Sequence, residues 1–258
     1  MYKSLILVFV VLIGAVAADK RPLKLQSSHI QRIVKPLHQG NVGLDWCPQC
    51  IDTWDDIVQV VLDVILQYGV LDTCGHLCDI VESKTGSGVL GFICNFGCDF
   101  LGLDEFIKLM NKADIDPIYY CEKMSLCPIN DNGDAKFKSF AVLPARAKMG
   151  TKIAIDFVYV SKNGTGTGEM ILSIQTVDKV PLSAGLLVEA QKPGTYGDRI
   201  AIDTSPDPEC DPTQSQCEEW LQGVYNVTVI LCNGQCGSHH PHSAIYDTAH
   251  GSFSLYEE

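Results

Sequence analysis

The chain is short of positive charge. It carries 19 Lys and Arg against 31 Asp and Glu, a formal net charge of −12 at pH 7. Phosphates need a basic face, so this balance excludes nucleic acid as a partner. It also excludes attraction to anionic lipid by charge alone. Long apolar runs are scarce as well. The apolar run within the first 18 residues is shorter than the ~20 residues a bilayer span needs, and no later stretch is apolar over that length, so the processed chain is expected to be soluble. Catalytic signatures are also lacking. No nucleophile elbow and no local Ser-His-Asp set stand out, and every cysteine has a structural partner within reach, so neither an enzyme nor a cofactor is expected.

Cysteine, by contrast, is abundant: the chain has twelve. So many, in even number, are unusual in a reducing compartment and read as disulfides of a secreted protein. The N-terminus fits that route. Lys3 supplies a positive start, Leu5 to Ile13 is unbroken apolar sequence, and Ala15-Val16-Ala17-Ala18 offers small residues for cleavage. Residues 1–18 are therefore expected to be a signal peptide. Residues 19–43, with Lys20, Arg21, Lys24, Arg32 and Lys35, read as a basic flexible lead.

Eight cysteines organise residues 44–128. Cys47 and Cys50 open the stretch, and Cys121 and Cys127 close it. Cys74 and Cys78, and likewise Cys94 and Cys98, are spaced i, i+4 and so share one helix face. Two antiparallel helices would set Cys74 against Cys98 and Cys78 against Cys94. The outer pairs, Cys47 with Cys127 and Cys50 with Cys121, would then tie the first helix to the last. About a hundred pairings of eight cysteines exist, and the nested one closes a compact helical hairpin at both ends. Cys47-x-x-Cys50 would also suit a zinc knuckle, but Cys121 and Cys127 are too widely spaced to complete one. Helical periodicity predicts helices over Trp46–Gln67, Val70–Lys84, Val89–Leu101, Leu103–Lys112 and Ile115–Met124. Gly69, Thr85-Gly86-Ser87-Gly88 and Gly102 break them.

Residues 129–258 change character at Asp131-Asn132-Gly133-Asp134, a turn cluster. Strands are predicted over Phe137–Leu143, Ile153–Val160, Glu169–Val177, Leu186–Ala190, Arg199–Asp203, Val224–Leu231 and Ser252–Tyr256. Ile153, Ile155, Phe157 and Tyr159 alternate with Ala154, Asp156 and Val158, the pattern of a half-buried strand. Tyr225, Val227, Val229 and Leu231 alternate likewise. The expected fold class is α+β in two domains, a disulfide-bonded five-helix domain and then a β-sandwich of immunoglobulin-like size, with a small barrel as the alternative. Cys210 with Cys217 and Cys232 with Cys236 would staple two loops by local pairing; crossed pairing would hold one loop against the other. Asn163-Gly-Thr165 and Asn226-Val-Thr228 are glycosylation acceptors, and strand alternation turns Asn226 outward.

The helical half resembles the saposin B-type fold. The likeness rests on Cys47-x-x-Cys50, on Cys78 and Cys94, and on the closing pair Cys121 and Cys127, with Cys74 and Cys98 extra to the six-cysteine pattern. It covers about a third of the chain and implies lipid or membrane contact rather than catalysis. A closer likeness lies at its exit. Ala113-Asp-Ile-Asp-Pro-Ile-Tyr-Tyr-Cys121 runs into Cys127-Pro-Ile-Asn-Asp-Asn-Gly-Asp-Ala135, and with the β-rich remainder this resembles the countin family of social amoebae. That resemblance implies a secreted subunit of a complex that limits group size during aggregation, partnered by other subunits. A lipid-presenting protein is the alternative, and a secreted lipid hydrolase comes far behind, because the β half is small and poor in acid–base groups.

Three weaker signals have plainer readings. Gly164-Thr-Gly-Thr-Gly168 lacks the lysine of a phosphate-binding loop and reads as a hairpin loop. His239, His240, His242 and His250 read as a solvated loop before a metal site. Asp131, Asn132 and Asp134 lack the closing glutamate of a calcium loop and read as a turn. The charge of the helical half has a consequence for lipid. From Leu44 to Cys127 fourteen acids face four lysines, a net −10. The expectation is no permeabilisation of anionic vesicles at pH 7, and lipid contact favoured near pH 4 to 5, where carboxylates gain protons.

Overall fold

The computed structural model describes residues 23–24, 30–32, 46–68, 73–110, 116–179, 181–206 and 220–257. The expected signal peptide, Cys210 and Cys217 lie outside these. Five helices come first: α1 (Trp46–Tyr68), α2 (Cys74–Thr85), α3 (Gly88–Leu101), α4 (Leu103–Met110) and α5 (Pro117–Lys123).

Each boundary has a local cause. Thr73 caps α2 by accepting from the His76 amide, which sets the start of the helix at Cys74. Gly86 ends it at φ 67°, a conformation that penalises any side chain. Ser87 caps α3 in the same way, through the Leu90 amide. Asp116 caps α5 through the Tyr119 amide, and Pro117 takes the first helical turn, where its missing N–H costs nothing. Trp54 of α1 is the hub of the helical core. It is fully buried, 5.0 Å from Tyr120 of α5 and edge-on to Phe106 of α4 at 6.2 Å. Around it Val58 and Val61 of α1 meet Leu77 of α2 and Ile93 of α3.

Four disulfides cross-link these helices: Cys47–Cys127, Cys50–Cys121, Cys74–Cys98 and Cys78–Cys94. The inner two join antiparallel α2 and α3. The outer two tie the start of α1 to the end of α5 and the residues after it.

The remainder builds two sheets from β3 (Lys136–Leu143), β4 (Arg146–Lys148), β5 (Lys152–Ser161), β6 (Gly168–Gln175), β7 (Pro181–Val188), β8 (Gly194–Asp203), β9 (Gly223–Asn233) and β10 (Ala244–Tyr256). Two short strands from the N-terminal lead, β1 (Leu23–Lys24) and β2 (Ile30–Arg32), complete them. The orders are β1-β7-β6-β9-β10-β4 and β2-β8-β5-β3. Inward residues of both sheets, among them Ile155, Phe157, Leu172, Val227 and Phe253, share one core. β5 and β9 bury alternate residues as their sequences dictate.

Four expectations are corrected. The lead is not wholly a flexible tail, because Leu23–Lys24 pairs in parallel with β7 and Ile30–Arg32 pairs with β8, each covering a sheet edge. Gly164–Gly168 is not a hairpin loop. It carries the chain from β5 in one sheet to β6 in the other, and all five residues are buried. β8 and β10 begin earlier than their apolar patterns do, because backbone pairing with β5 and β9 recruits polar and glycine residues. β7 lies at Pro181–Val188 rather than Leu186–Ala190, its register fixed by β6.

Candidate functional site

Two features outside the cores stand out. The first is an aromatic ladder on α3. Cys94 and Cys98 point inward to their disulfides. Phe92, Phe96 and Phe100 sit two positions away, about 200° around the helix, so the cross-links force the phenylalanines outward. They are 59%, 39% and 54% exposed, and the Trp46 ring, at the start of α1, is 44% exposed. The rings form a continuous row: Trp46 to Phe92 at 6.4 Å, Phe92 to Phe96 at 6.4 Å and Phe96 to Phe100 at 6.3 Å. The inward side of α3 is close-packed. A Cβ on Gly97 would meet Met124 Sδ at 2.7 Å, so α3 cannot turn its apolar outer face into the core.

The second feature is the seam where α5 meets the β part. The chain leaves the helices through Pro128, whose carbonyl accepts from the Thr167 amide at 2.9 Å. Cys47 is disulfide-bonded and has no S–H, so the Thr167 hydroxyl donates to its Sγ at 3.7 Å. Asn233 Nδ2 donates to the carbonyls of Asn130 and His242, at 3.3 and 2.8 Å. Gly166 and Gly168 permit this packing, because a Cβ at either would run into Asn233 Oδ1 or the Cys232 carbonyl. From the loop before β10, His240 stacks on Tyr119 at 4.4 Å, and its Nδ1 lies 3.7 Å from Asp116 Oδ2. His242 Nδ1 donates to Asp131 Oδ1 at 2.6 Å. Within this seam Glu122 is 4% exposed, and its Oε2 has no hydrogen-bond partner. Burial, then the nearby Asp116 and Asp131 carboxylates, push its carboxyl from an ordinary 4.5 up to about 8.

Known proteins place the chain. The description "Countin N-terminal domain" matches residues 45–125, and "Countin C-terminal domain" matches residues 135–258. Countin-1 of Dictyostelium discoideum is 32% identical over 81% of this chain and 76% of its own length. The chain belongs to the countin family. Countin-2 and Countin-3 of the same organism are 29% and 28% identical, over 86% and 81% of this chain and 83% and 89% of their own lengths. Solved structures add no argument. A Listeria innocua beta-glucosidase aligns at TM-score 0.31 and 13% identity over 48% of this chain and 16% of its own.

Cys232 and Cys236 form a disulfide that closes the turn after β9. Asn163 and Asn226 are both exposed, and Asn163 Nδ2 donates to the Asn132 carbonyl at 3.0 Å. Asp131-Asn132-Gly133-Asp134 is a turn, and Asp134 Oδ1 accepts from the Lys162 and Asn163 amides. His240 corrects the solvated-loop reading, since its side chain is only 10% exposed against α5. Among the described residues no group of His, Cys, Asp and Glu is placed to hold a metal ion. No described helix is long and apolar enough to cross a membrane. The ladder itself was written in the sequence as phenylalanine at every fourth position, offset by two from the cysteines. The seam had no local signature, because contacts such as His242 with Asp131 join residues 111 apart in the chain.

Proposed function

We propose that this chain is a secreted, non-enzymatic subunit of a counting-factor-type complex that limits group size during development, acting through cell adhesion and motility. The observation that carries the reading is that both halves, in order, match the two countin domains. The disulfides fit an oxidising, extracellular setting. The finer architecture belongs to the same reading: a saposin B-type helical domain followed by an immunoglobulin-like sandwich. Native purification from the medium of cells that make the protein is the test. A large assembly with other subunits, and a change of group size when the protein is depleted, is the expected result. A lone monomer whose depletion leaves group size unchanged refutes it.

A second reading, lipid contact by the helical domain, is favoured by the aromatic ladder. Its rings expose roughly 400 Å², taking ~200 Å² or more for a whole aromatic side chain. A stable protein interface buries about 800 Å² per partner, so the ladder alone falls short of one. A row of rings of this size matches shallow entry into the apolar edge of a bilayer. The net −10 of the domain directs it to neutral rather than anionic lipid, with acid conditions favouring contact.

A further inference from the structure

We propose that the seam between the helical part and the β part is an acid-tightened junction, closed when Glu122 is protonated and loosened when it ionises. The geometry carries this. Two acids, Asp116 at 1% and Glu122 at 4% exposure, are buried at one interface, and the Glu122 Oε2 has no donor to stabilise a charge. A carboxylate with one oxygen buried and lacking a donor, beside a second carboxylate, is disfavoured, and opening the seam to water relieves it.

The groups around Glu122 all bear on the sign. On α5 and its cap these are Asp116, Tyr119, Tyr120 and Lys123, the last with its ammonium 5.8 Å over the Tyr119 ring. The turn that follows brings Asp131 and Asp134, and β10 brings Tyr246, whose phenol is raised chiefly by burial. His240 and His242 arrive from the loop before β10, facing Asp116 and Asp131. The ring stack of His240 on Tyr119 ties this loop to α5 in the closed seam.

A carboxyl raised in the closed seam stabilises it fully below its ordinary value of 4.5, and that contribution is lost as pH rises through about 8. Linkage sets the ceiling: between pH 5 and pH 8.5 the closed-to-open ratio falls by at most about 600-fold for such a shift.

The test is hydrogen exchange on the full secreted protein with its disulfides intact, as protection factors corrected for intrinsic rates at pH 5 and pH 8.5. Amides of 116–124 and 233–246 should lose at least about tenfold protection at pH 8.5, while amides of α2 and α3 keep theirs. Glu122→Gln, which stays neutral, should hold its protection at both pH values. Asp131→Asn, at a more exposed position, should shrink the loss by removing one of the repelling charges. Unchanged wild-type protection across this range overturns the proposal, and so does a Glu122→Gln profile that follows the wild type.

Discussion

Replacing the two most exposed rings of the ladder, as Phe92→Gln/Phe100→Gln, separates docking from folding. Their exposures of 59% and 54% correspond to roughly 220 Å² of apolar surface, taking ~200 Å² per phenylalanine. At about 25 cal/mol per Å² this surface carries at most about 5–6 kcal/mol on complete burial. Ordering and polar desolvation consume part of it, so the measurable loss should be about 2–3 kcal/mol, or roughly 30- to 150-fold in binding. Folding should barely notice, because exposed substitutions away from caps and cores usually change stability by less than about 0.5 kcal/mol each. The assay is flotation with phosphatidylcholine vesicles at pH 4.5 and pH 7, beside a urea unfolding curve. Wild type should float more at pH 4.5, and the double variant should stay with the soluble fraction while unfolding at an unchanged midpoint. The reasoning is refuted if the double variant floats like wild type, or if wild type does not float at all.

Three further expectations concern the scaffold. Cys78–Cys94 and Cys74–Cys98 enclose 16 and 24 residues, and loop entropy gives each about 3 kcal/mol alone. Because they nest, the second closes only a short residual loop worth about 2.5 kcal/mol, so removing both should cost less than the sum of the costs computed for each alone. Denaturant midpoints of the Cys74→Ser/Cys98→Ser, Cys78→Ser/Cys94→Ser and fourfold variants check this, and a fourfold loss equal to that sum contradicts it. Gly168→Ala puts a Cβ 2.1 Å from the Cys232 carbonyl oxygen, a backbone atom that β9 pairing holds in place. It should destabilise the β part by about 1–3 kcal/mol, whereas Gly75→Ala, with open space around it, should not; equal midpoints for the two variants would count against the packing argument. The Asn163 amide above all, with the Lys162 amide and Ser161 hydroxyl, holds the Asp134 carboxyl below its ordinary 3.8. Its contribution is present above that value and is lost as pH falls through the lowered one, so Asp134→Asn should flatten the acid limb of a thermal-stability profile. An unchanged acid limb would show that those amides do not depend on its charge.

Much of the helical part was legible from spacing. Cysteines at i and i+4 fix which side of α2 and α3 turns inward, and a helix has only one opposite side. The same arithmetic exposes Phe92, Phe96 and Phe100. Thr73, Ser87 and Asp116 mark helix starts with side chains that reach their own backbone, so these boundaries are local chemistry. In the β part, alternation located β5 and β9, where one side is buried by both neighbouring strands and the opposite sheet. It did not locate the first residues of β8 and β10, because those residues are held by backbone pairing, which leaves no hydropathy pattern.

The amino-acid order by itself determined the cross-linked helices, the outward aromatic row, the acidic charge and the alternating strands, because each arises between residues within a few turns or on one strand. Folding in three dimensions alone decided that Gly164–Gly168 crosses between sheets, that Leu23–Lys24 and Ile30–Arg32 cap sheet edges, and that Glu122 is buried near Asp116 and Asp131, the two carboxylates that histidines of a distant loop face. Those outcomes depend on desolvation and on contacts between segments far apart in the chain, and neither is a property of any local stretch.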